Sequence, residues 1–145
     1  FSSPTDGTRL IKRLIAVPGD VVEMRNERLI INGKPASYAP AGTSSEIVGG
    51  VAVVDSSQYD ETFDGHRRRI QVFPAAQALR TFGPVTIPPD QYLMLGDSRD
   101  NSQDSRFIGL VPREKLIGRA ERVLVSADIL GNWHPRFERF GMAMR

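Results

Sequence analysis

The sequence predicts a mainly β fold built from antiparallel sheets. Short segments rich in β-branched and aromatic residues recur along the 145 residues and are separated by Gly, Pro, Asn and Asp. Two dipeptides, Asn32-Gly33 and Asp64-Gly65, are typical of the tight turns that join neighbouring antiparallel strands. No segment shows the apolar period of a long helix. Many short strands without a long helix favour the all-β class.

The first strand is predicted at residues 9–17, an apolar and β-branched run that ends at Pro18-Gly19-Asp20. Because side chains alternate between the two faces of a strand, Leu10, Lys12 and Leu14 share one face. The two leucines indicate that this face is buried. We therefore expect Lys12 to lie between apolar neighbours in the core.

The remaining elements are predicted from the turn signals and from periodicity. Residues 35–50 are rich in Ala, Pro, Ser and Gly and predict a long loop with little regular structure. Residues 119–126 alternate and predict a strand. The other predicted strands lie at residues 21–24, 29–31, 67–73, 82–87 and 91–95, and one helical turn is expected within residues 111–117.

The composition argues against several kinds of site. The 19 basic and 17 acidic residues leave a formal net charge of +2, which with no basic helix gives no support for a nucleic-acid partner. No Cys is present, so disulfides, a thiol nucleophile and a Cys-based zinc site are excluded. The two histidines, His66 and His134, lack the spacing of metal ligands. We expect neither a metal nor a cofactor.

Of three peripheral features, two leave alternatives open. The chain opens at Phe1 without an initiator Met, so we expect it to begin inside a larger protein. Arg67-Arg68-Arg69 is either a phosphate or headgroup contact or a solvated strand face. In the tail, Trp133, Phe137 and Phe140 either touch a membrane surface or cover an edge of the core.

A dense polar segment at residues 96–109 interrupts the apolar run of residues 91–95. Such a loop is either a solvated turn, whose Asp and Asn side chains bond their own backbone, or a site held on rigid strands. Its charged residues are Asp97, Arg99, Asp100, Asp104 and Arg106.

Lys12 also has two interpretations. Its stem can pack against apolar neighbours while the ammonium reaches water. Alternatively, burial removes the water that stabilises a charged amine, and the amine becomes neutral near pH 7. A neutral amine can take the proton of a serine hydroxyl, forming a Ser–Lys pair that needs no histidine. A second hydroxyl, hydrogen-bonded to the amine, would aim it.

Two motifs resemble conserved boxes of the bacterial type I signal peptidases, or leader peptidases. One is Lys12-Arg13-Leu14-Ile15-Ala16-Val17-Pro18-Gly19-Asp20, which resembles the family's lysine box. The other is Gly96-Asp97-Ser98-Arg99-Asp100-Asn101-Ser102-Gln103-Asp104-Ser105-Arg106-Phe107-Ile108-Gly109, which resembles its last box, with Ser98 where the family has Asn. The two occur in the family's order, and order is what supports a motif match.

The resemblance implies a fold and a set of roles. The fold would be the partly open β-barrel of the signal peptidase/LexA-like type, with residues 1–20 and 90–145 in the catalytic core and residues 21–89 as an inserted β sub-domain. Lys12 would be the general base and Ser102 would orient its amine through a hydrogen bond. The other implied site residues are Arg13, Asp97, Arg99, Asp104 and Arg106 as supports, with Arg13 paired to Asp97 and Asp104 to Arg106, and Leu10, Ile11 and Met94 in the substrate pocket.

The implied enzyme is a membrane-anchored serine endopeptidase acting on the outer, periplasmic side of the bacterial cytoplasmic membrane. It would remove signal peptides of the Ala-x-Ala type from exported pre-proteins and would contact the membrane surface. The family's nucleophile lies in an upstream Ser-Met-x-Pro box, and this chain has no Ser-Met dipeptide, so we expect the chain alone to be inactive. The alternatives are a LexA-like self-cleaving Ser/Lys protein and an inactive, peptide-binding relative.

Overall fold

The computed structural model describes residues 1–48, 52–127 and 134–143. These residues form a mainly β protein with antiparallel sheets, which confirms the predicted fold class. The helical segments are α1 (Ser105–Ile108) and 3₁₀ turns at Arg113–Lys115 and Phe137–Arg139. The strands are β1 (Arg13–Ala16), β2 (Val21–Arg25), β3 (Arg28–Ile31), β4 (Lys34–Pro35), β5 (Ser37–Val48), β6 (Ala52–Phe63), β7 (His66–Val72), β8 (Phe82–Thr86), β9 (Gln91–Leu95) and β10 (Val111–Pro112).

The first sheet has the order β1-β9-β10. β1 covers only Arg13–Ala16, so the prediction of a strand over residues 9–17 is wrong in its extent. The segment before β1 pairs with the start of the chain instead, because Phe1 and Leu10 exchange backbone hydrogen bonds of 2.9 and 3.0 Å. Leu14 is 48% exposed, so the face that carries Lys12 is more open than its leucines suggested.

The second sheet has the order β4-β3-β2-β8, and the third has the order β5-β6-β7. The predicted turns at Asn32-Gly33 and Asp64-Gly65 are both confirmed. Each pair has two consecutive positive φ angles, 51° and 73° in the first turn and 49° and 77° in the second. This conformation matches the twist of antiparallel strands, and Asn, Asp and Gly adopt it most readily. Local sequence therefore determines where two of the hairpins reverse.

The prediction of a long loop at residues 35–50 is wrong. Its place is taken by the 12-residue strand β5, which pairs along its length with β6. Hydroxyl groups stabilise the pairing across the strands, as in the 2.9 Å contact between the Ser44 and Ser56 side-chain oxygens. A shift of register next to Gly42 accommodates the chain after Pro40. Small polar residues form this strand because a partner strand satisfies their backbone.

The hydrophobic core joins the first two sheets. Strand β1 contributes Ala16 to this core, and strand β9, which leads into the polar loop, contributes Leu93 and Leu95. Burial of each large apolar side chain contributes about 2 kcal/mol. The cluster therefore fixes the end of β9, from which the polar loop departs. Its buried members are Ala16, Val22, Met24, Leu29, Ile31, Ala36, Ile87, Leu93 and Leu95.

The C-terminal region departs from the predictions in one place. In residues 119–126 only Arg122 forms a bridge, to Ala143, so the predicted strand is wrong. Leu124 and Val125 are 80% and 74% exposed, because in the described part of the chain no sheet covers either of their faces. The predicted helical turn is confirmed in a short form by the 3₁₀ turn Arg113–Lys115.

The aromatic tail is described only in part, since Trp133 lies outside the described residues. The rings of Phe137 and Phe140 pack with their centroids 5.3 Å apart and remain 70% and 37% exposed. Contact of this surface with a membrane stays a prediction. Within the described ranges, no helix combines the length and the apolar character needed to cross a membrane.

Candidate active site

β1 and β9 bring the two sequence motifs together. They pair antiparallel, with Arg13 opposite Leu95 and Leu14 opposite Met94. Continued by one residue, this register sets Lys12 opposite Gly96, the first residue of the polar loop. Directly opposed residues of an antiparallel pair project their Cβ atoms on the same face. The Lys12 side chain and anything packed on the Cβ side of Gly96 therefore share a face.

The Arg13–Asp97 pair joins the lysine motif to the loop across 84 positions of sequence. The Arg13 Nε and Nη2 atoms donate to the two Asp97 carboxylate oxygens, each at 2.7 Å. Hydrogen bonding to Asp97 outweighs partial burial and raises the pKa of the Arg13 guanidinium above its usual value. The predicted pairing is confirmed, and it is partly exposed, with 27% of the Arg13 and 46% of the Asp97 side chain accessible.

The Asp104–Arg106 pair lies inside the loop. Arg106 donates to the Asp104 carboxylate from Nε at 2.8 Å and from Nη2 at 2.7 Å. The same carboxylate caps α1 by accepting from the Arg106 backbone N–H, and it also accepts from the Gly96 N–H at 3.0 Å. Burial alone would raise the pKa of Asp104, but these hydrogen bonds and the Arg106 charge lower it below its usual value. This second predicted pairing is also confirmed.

Ser102 packs directly against the backbone of Gly96. A Cβ atom added to Gly96 would lie 2.1 Å from the Ser102 Oγ and 2.6 Å from its Cβ, so a side chain at position 96 would displace the hydroxyl. The hydroxyl therefore occupies the face of Gly96 onto which Lys12 also projects. Glycine is required here for close approach rather than for an unusual φ angle.

The predicted hydrogen bond between Lys12 and Ser102 is absent. The Ser102 Oγ is buried and has no hydrogen-bond partner among the described residues. Lys12 is only half-buried, and a lysine in such a position can keep its ammonium in water while its stem packs. The extended register thus directs the two residues to one face, but their polar atoms are not joined.

Arg99 is a large buried cation of the loop, at 2% exposure. Its Nη2 donates to the Glu61 Oε1 of β6 at 2.7 Å. Glu61 also accepts from the Tyr38 hydroxyl at 2.7 Å and from the Arg68 Nε. Burial would raise the pKa of Glu61, but bonding to Arg99 and the charges of both arginines lower it. Burial, and the nearby charge of Glu61, raise the pKa of Tyr38 to about 12.

Sequence reasoning assigned no role to Glu61 or Tyr38, and it treated Arg68 only as part of the triplet Arg67-Arg68-Arg69. Alternation within Arg67-Arg68-Arg69 was the available signal, because it places the middle arginine on the opposite face of β7 from its neighbours. The structure bears this out, since Arg68 is 11% exposed and the other two are 73% and 55% exposed. The triplet is therefore split between a buried ion pair and a solvated face.

The loop is also attached to β7 through its backbone. The Gln71 N–H donates to the Asp97 carbonyl and the Arg99 N–H donates to the Gln71 carbonyl, both at 2.8 Å. Asp100 accepts from the Phe73 N–H at 2.8 Å and pairs with Arg80 at 3.2 Å. A polar segment that could have been a solvated turn is thus held along β7, the edge strand of the third sheet.

The residues expected to line a substrate pocket differ in exposure. Ile11 is 74% exposed, Leu10 is half-buried, and Met94 is 6% exposed. Leu10 and Ile11 precede Lys12 directly, and Met94 lies two residues before Gly96 on β9. Their contact with a substrate stays a prediction. In the part of the chain that the structure describes, no group of three His, Cys, Asp or Glu residues could hold a metal ion.

The family profile described as signal peptidase, peptidase S26, matches residues 1–125. The chain belongs to this signal peptidase family. The resemblance inferred from the two motifs is therefore confirmed at the level of the family. Its polar loop and its lysine motif both lie within the matched residues.

Individual signal peptidases show the same similarity. The probable signal peptidase I-2 of Synechocystis sp. is 36% identical over 125 residues, covering 81% of this chain and 42% of that protein. Signal peptidase I of Leptolyngbya laminosa is 34% identical and covers 92% of this chain and 49% of that protein. Signal peptidase I of Pseudomonas fluorescens is 30% identical, and the match covers 98% of this chain and 53% of that protein. The chain spans about half the length of the curated signal peptidases it matches.

A solved signal peptidase I from Enterococcus faecalis V583 is also similar. It shares 28% sequence identity with this chain at a TM-score of 0.45. The match covers 79% of this chain and 85% of the solved one.

Proposed function

We propose that this chain carries the general base of a serine endopeptidase that cleaves signal peptides from exported pre-proteins. The observation that carries the proposal is the shared face of Lys12 and Ser102. Extending the β1–β9 register by one residue beyond Arg13 and Leu95 would set Lys12 opposite Gly96, and the Ser102 hydroxyl packs where a Gly96 side chain would stand. A buried hydroxyl without a partner is available to an amine that turns toward it.

The chemistry proposed for Lys12 is proton transfer. Its neutral amine would accept the proton of a serine hydroxyl as the serine oxygen attacks the scissile carbonyl, and would return that proton to the leaving amine nitrogen. Ser102 would orient the amine by a hydrogen bond. The nucleophilic serine would lie on a segment upstream of these 145 residues, since the family's Ser-Met dipeptide does not occur in them.

The proposed substrate is an extended peptide of the Ala-x-Ala type. In the described sheets β1 pairs with β9 alone, so its other edge can accept a strand. Leu10 and Ile11 would contact the small substrate side chains beside Lys12, and Met94 would support them from β9. We place the enzyme on the outer side of the bacterial cytoplasmic membrane, in contact with the membrane surface, because its substrates emerge there.

The test is a lysine substitution in the full-length protein that contains this chain. Lys12→Ala should reduce cleavage of an Ala-x-Ala peptide by at least about 1,000-fold while the protein stays folded, because it removes the base that activates the nucleophile. Lys34→Ala is the matched control, since Lys34 lies exposed on β4, and it should cleave at the normal rate. Near-normal cleavage by the Lys12→Ala protein would refute the assignment.

Two further outcomes separate the alternatives. The 145-residue chain alone should not cleave the peptide, and turnover by it would contradict an upstream nucleophile. A full-length protein that binds the peptide without cleaving it would identify the inactive, peptide-binding relative instead.

A further inference from the structure

We propose that Glu61 is a positioning residue for the active site, which holds the polar loop so that the Ser102 hydroxyl faces Lys12. The inference rests on the proposed function and adds to it a residue on a different sheet that determines the position of the polar loop. Glu61 lies on β6, 38 positions from Arg99 in the sequence. It would act on the proton transfer only through the loop.

The Glu61 carboxylate neutralises the charges of two buried arginines, Arg99 and Arg68. Its side chain is fully buried, and the side chains of Arg99 and Arg68 are 1% and 11% exposed. The Nε and Nη1 atoms of Arg99 have no hydrogen-bond partner among the described residues. A buried guanidinium with so few acceptors is stable only beside a carboxylate. Loss of the Glu61 charge should therefore release Arg99 toward solvent.

Release of Arg99 would move the backbone on which Ser102 depends. The Arg99 carbonyl accepts from the Arg106 Nη2 at 2.5 Å. Arg106 in turn holds the Asp104 carboxylate, which accepts from the Gly96 N–H at 3.0 Å. Ser102 packs on Gly96, within this closed set of contacts. Displacing one member should therefore shift the hydroxyl relative to β9.

The neighbouring residue on β6 is a built-in control. Asp60 also pairs with arginines of β7, at 2.7 Å from Arg69 and 3.9 Å from Arg67. Side chains alternate across the strand, so its pairs lie on the exposed face and do not touch the loop. Substitutions of Asp60 and Glu61 thus compare the same kind of pair with and without contact to the active site.

The experiment measures kinetics and hydrogen exchange in the full-length protein. Glu61→Gln should lower kcat for an Ala-x-Ala peptide by about 100-fold with KM changed less than about 3-fold, because a displacement of about 1 Å can cost that much. Exchange at the Arg99 N–H should accelerate, while exchange at the Ala36 N–H, bonded to Leu29, should not. Asp60→Asn should leave all of these quantities unchanged.

Two more variants keep the test decisive if Glu61→Gln fails to fold. Glu61→Asp keeps the charge and should recover most of kcat. Glu61→Gln with Arg99→Gln removes the charges of the Glu61–Arg99 pair and leaves only Arg68, which is 11% exposed and can turn toward water. Neutral replacement of both partners of a buried pair is tolerated better than removal of one. That double variant should keep the low kcat, since it no longer holds the loop.

The outcomes distinguish the inference from the proposed function. Wild-type kcat in any folded protein lacking the Glu61 charge would overturn the inference, as would equal acceleration of exchange at Arg99 and Ala36. A wild-type protein that cleaves no peptide would instead refute the proposed function. In that case accelerated exchange confined to the loop would still support the control of the loop by Glu61.

Discussion

The two ion pairs that brace the polar loop have the same N–O distance and opposite surroundings. Arg13–Asp97 and Asp104–Arg106 both measure 2.7 Å. The first connects distant parts of the chain and leaves 27% and 46% of its side chains exposed. The second spans two positions and leaves only 2% of Arg106 and none of Asp104 accessible.

The N–O distance alone therefore does not determine how much an ion pair contributes to stability. In water the attraction between two charges is largely offset by screening and by the cost of ordering both side chains. In the interior, removal of one partner leaves an uncompensated charge. Asp104 additionally bonds a backbone N–H and caps α1, so its loss affects several contacts at once. The buried pair should therefore govern stability, and the exposed pair should mainly set the alignment of β1 with the loop.

The largest effect is expected from Asp104→Ala. It leaves Arg106 buried without its carboxylate and should lower the free energy of unfolding by about 3–5 kcal/mol. Urea denaturation of the full-length protein measures this value. Asp97→Ala is the matched variant from the exposed pair. Equal losses in the two variants would contradict the distinction between buried and exposed pairs.

A smaller effect is expected from Gly96→Ala, which tests the packing of Ser102 against Gly96 in the loop that carries both ion pairs. The new Cβ would overlap the Ser102 Oγ, 2.1 Å away. Relief of this overlap requires the loop to move and should cost about 1–3 kcal/mol of stability. Gly96→Ala combined with Ser102→Gly removes the colliding atoms and should recover most of the loss. Additive losses in that double variant would show that the two residues are not in contact.

Acid pH should weaken the buried pair in a predictable direction. The pKa of Asp104 is lowered in the folded protein, so its contribution to stability is complete above the ordinary pKa of an Asp, 3.8. This contribution is lost as the pH falls through the folded pKa, because the protein must then bind a proton to the paired carboxylate. Unfolding free energies measured from pH 6 downward should fall more steeply for the wild type than for Asp104→Asn. Parallel curves would contradict this expectation.

The smallest effect is expected from the exposed pair. Asp97→Ala should change the free energy of unfolding by less than about 1 kcal/mol. At 1 M salt even this difference should shrink, since the screening length falls to about 3 Å. A double-mutant cycle with Arg13→Ala measures the coupling directly. A large coupling energy that salt does not reduce would contradict the prediction, because it would show that Arg13–Asp97 behaves like a buried pair.

Sequence alone predicted those features whose cause is local. The turns at Asn32-Gly33 and Asp64-Gly65 follow from residues that tolerate positive φ. The mainly β class follows from short β-branched segments between such turns. The family follows from two motifs whose residues stand in a recognisable order. In each case neighbours in the chain carry the information.

Features that depend on residues distant in the sequence could be seen only in the folded chain. β5 is a strand only because β6 pairs with it. Residues 119–126 do not form one, because in the described chain their pairing is limited to the bridge between Arg122 and Ala143 and the hydrogen bonds beside it. Glu61 pairs with Arg99 because the fold packs β6 against the polar loop, a contact between residues 38 positions apart in the sequence. The Ser102 hydroxyl lies on Gly96 rather than on the Lys12 amine, because close packing inside the loop places it there. Propensity and pattern cannot encode such contacts, since their energy comes from burial and pairing between segments that the chain separates.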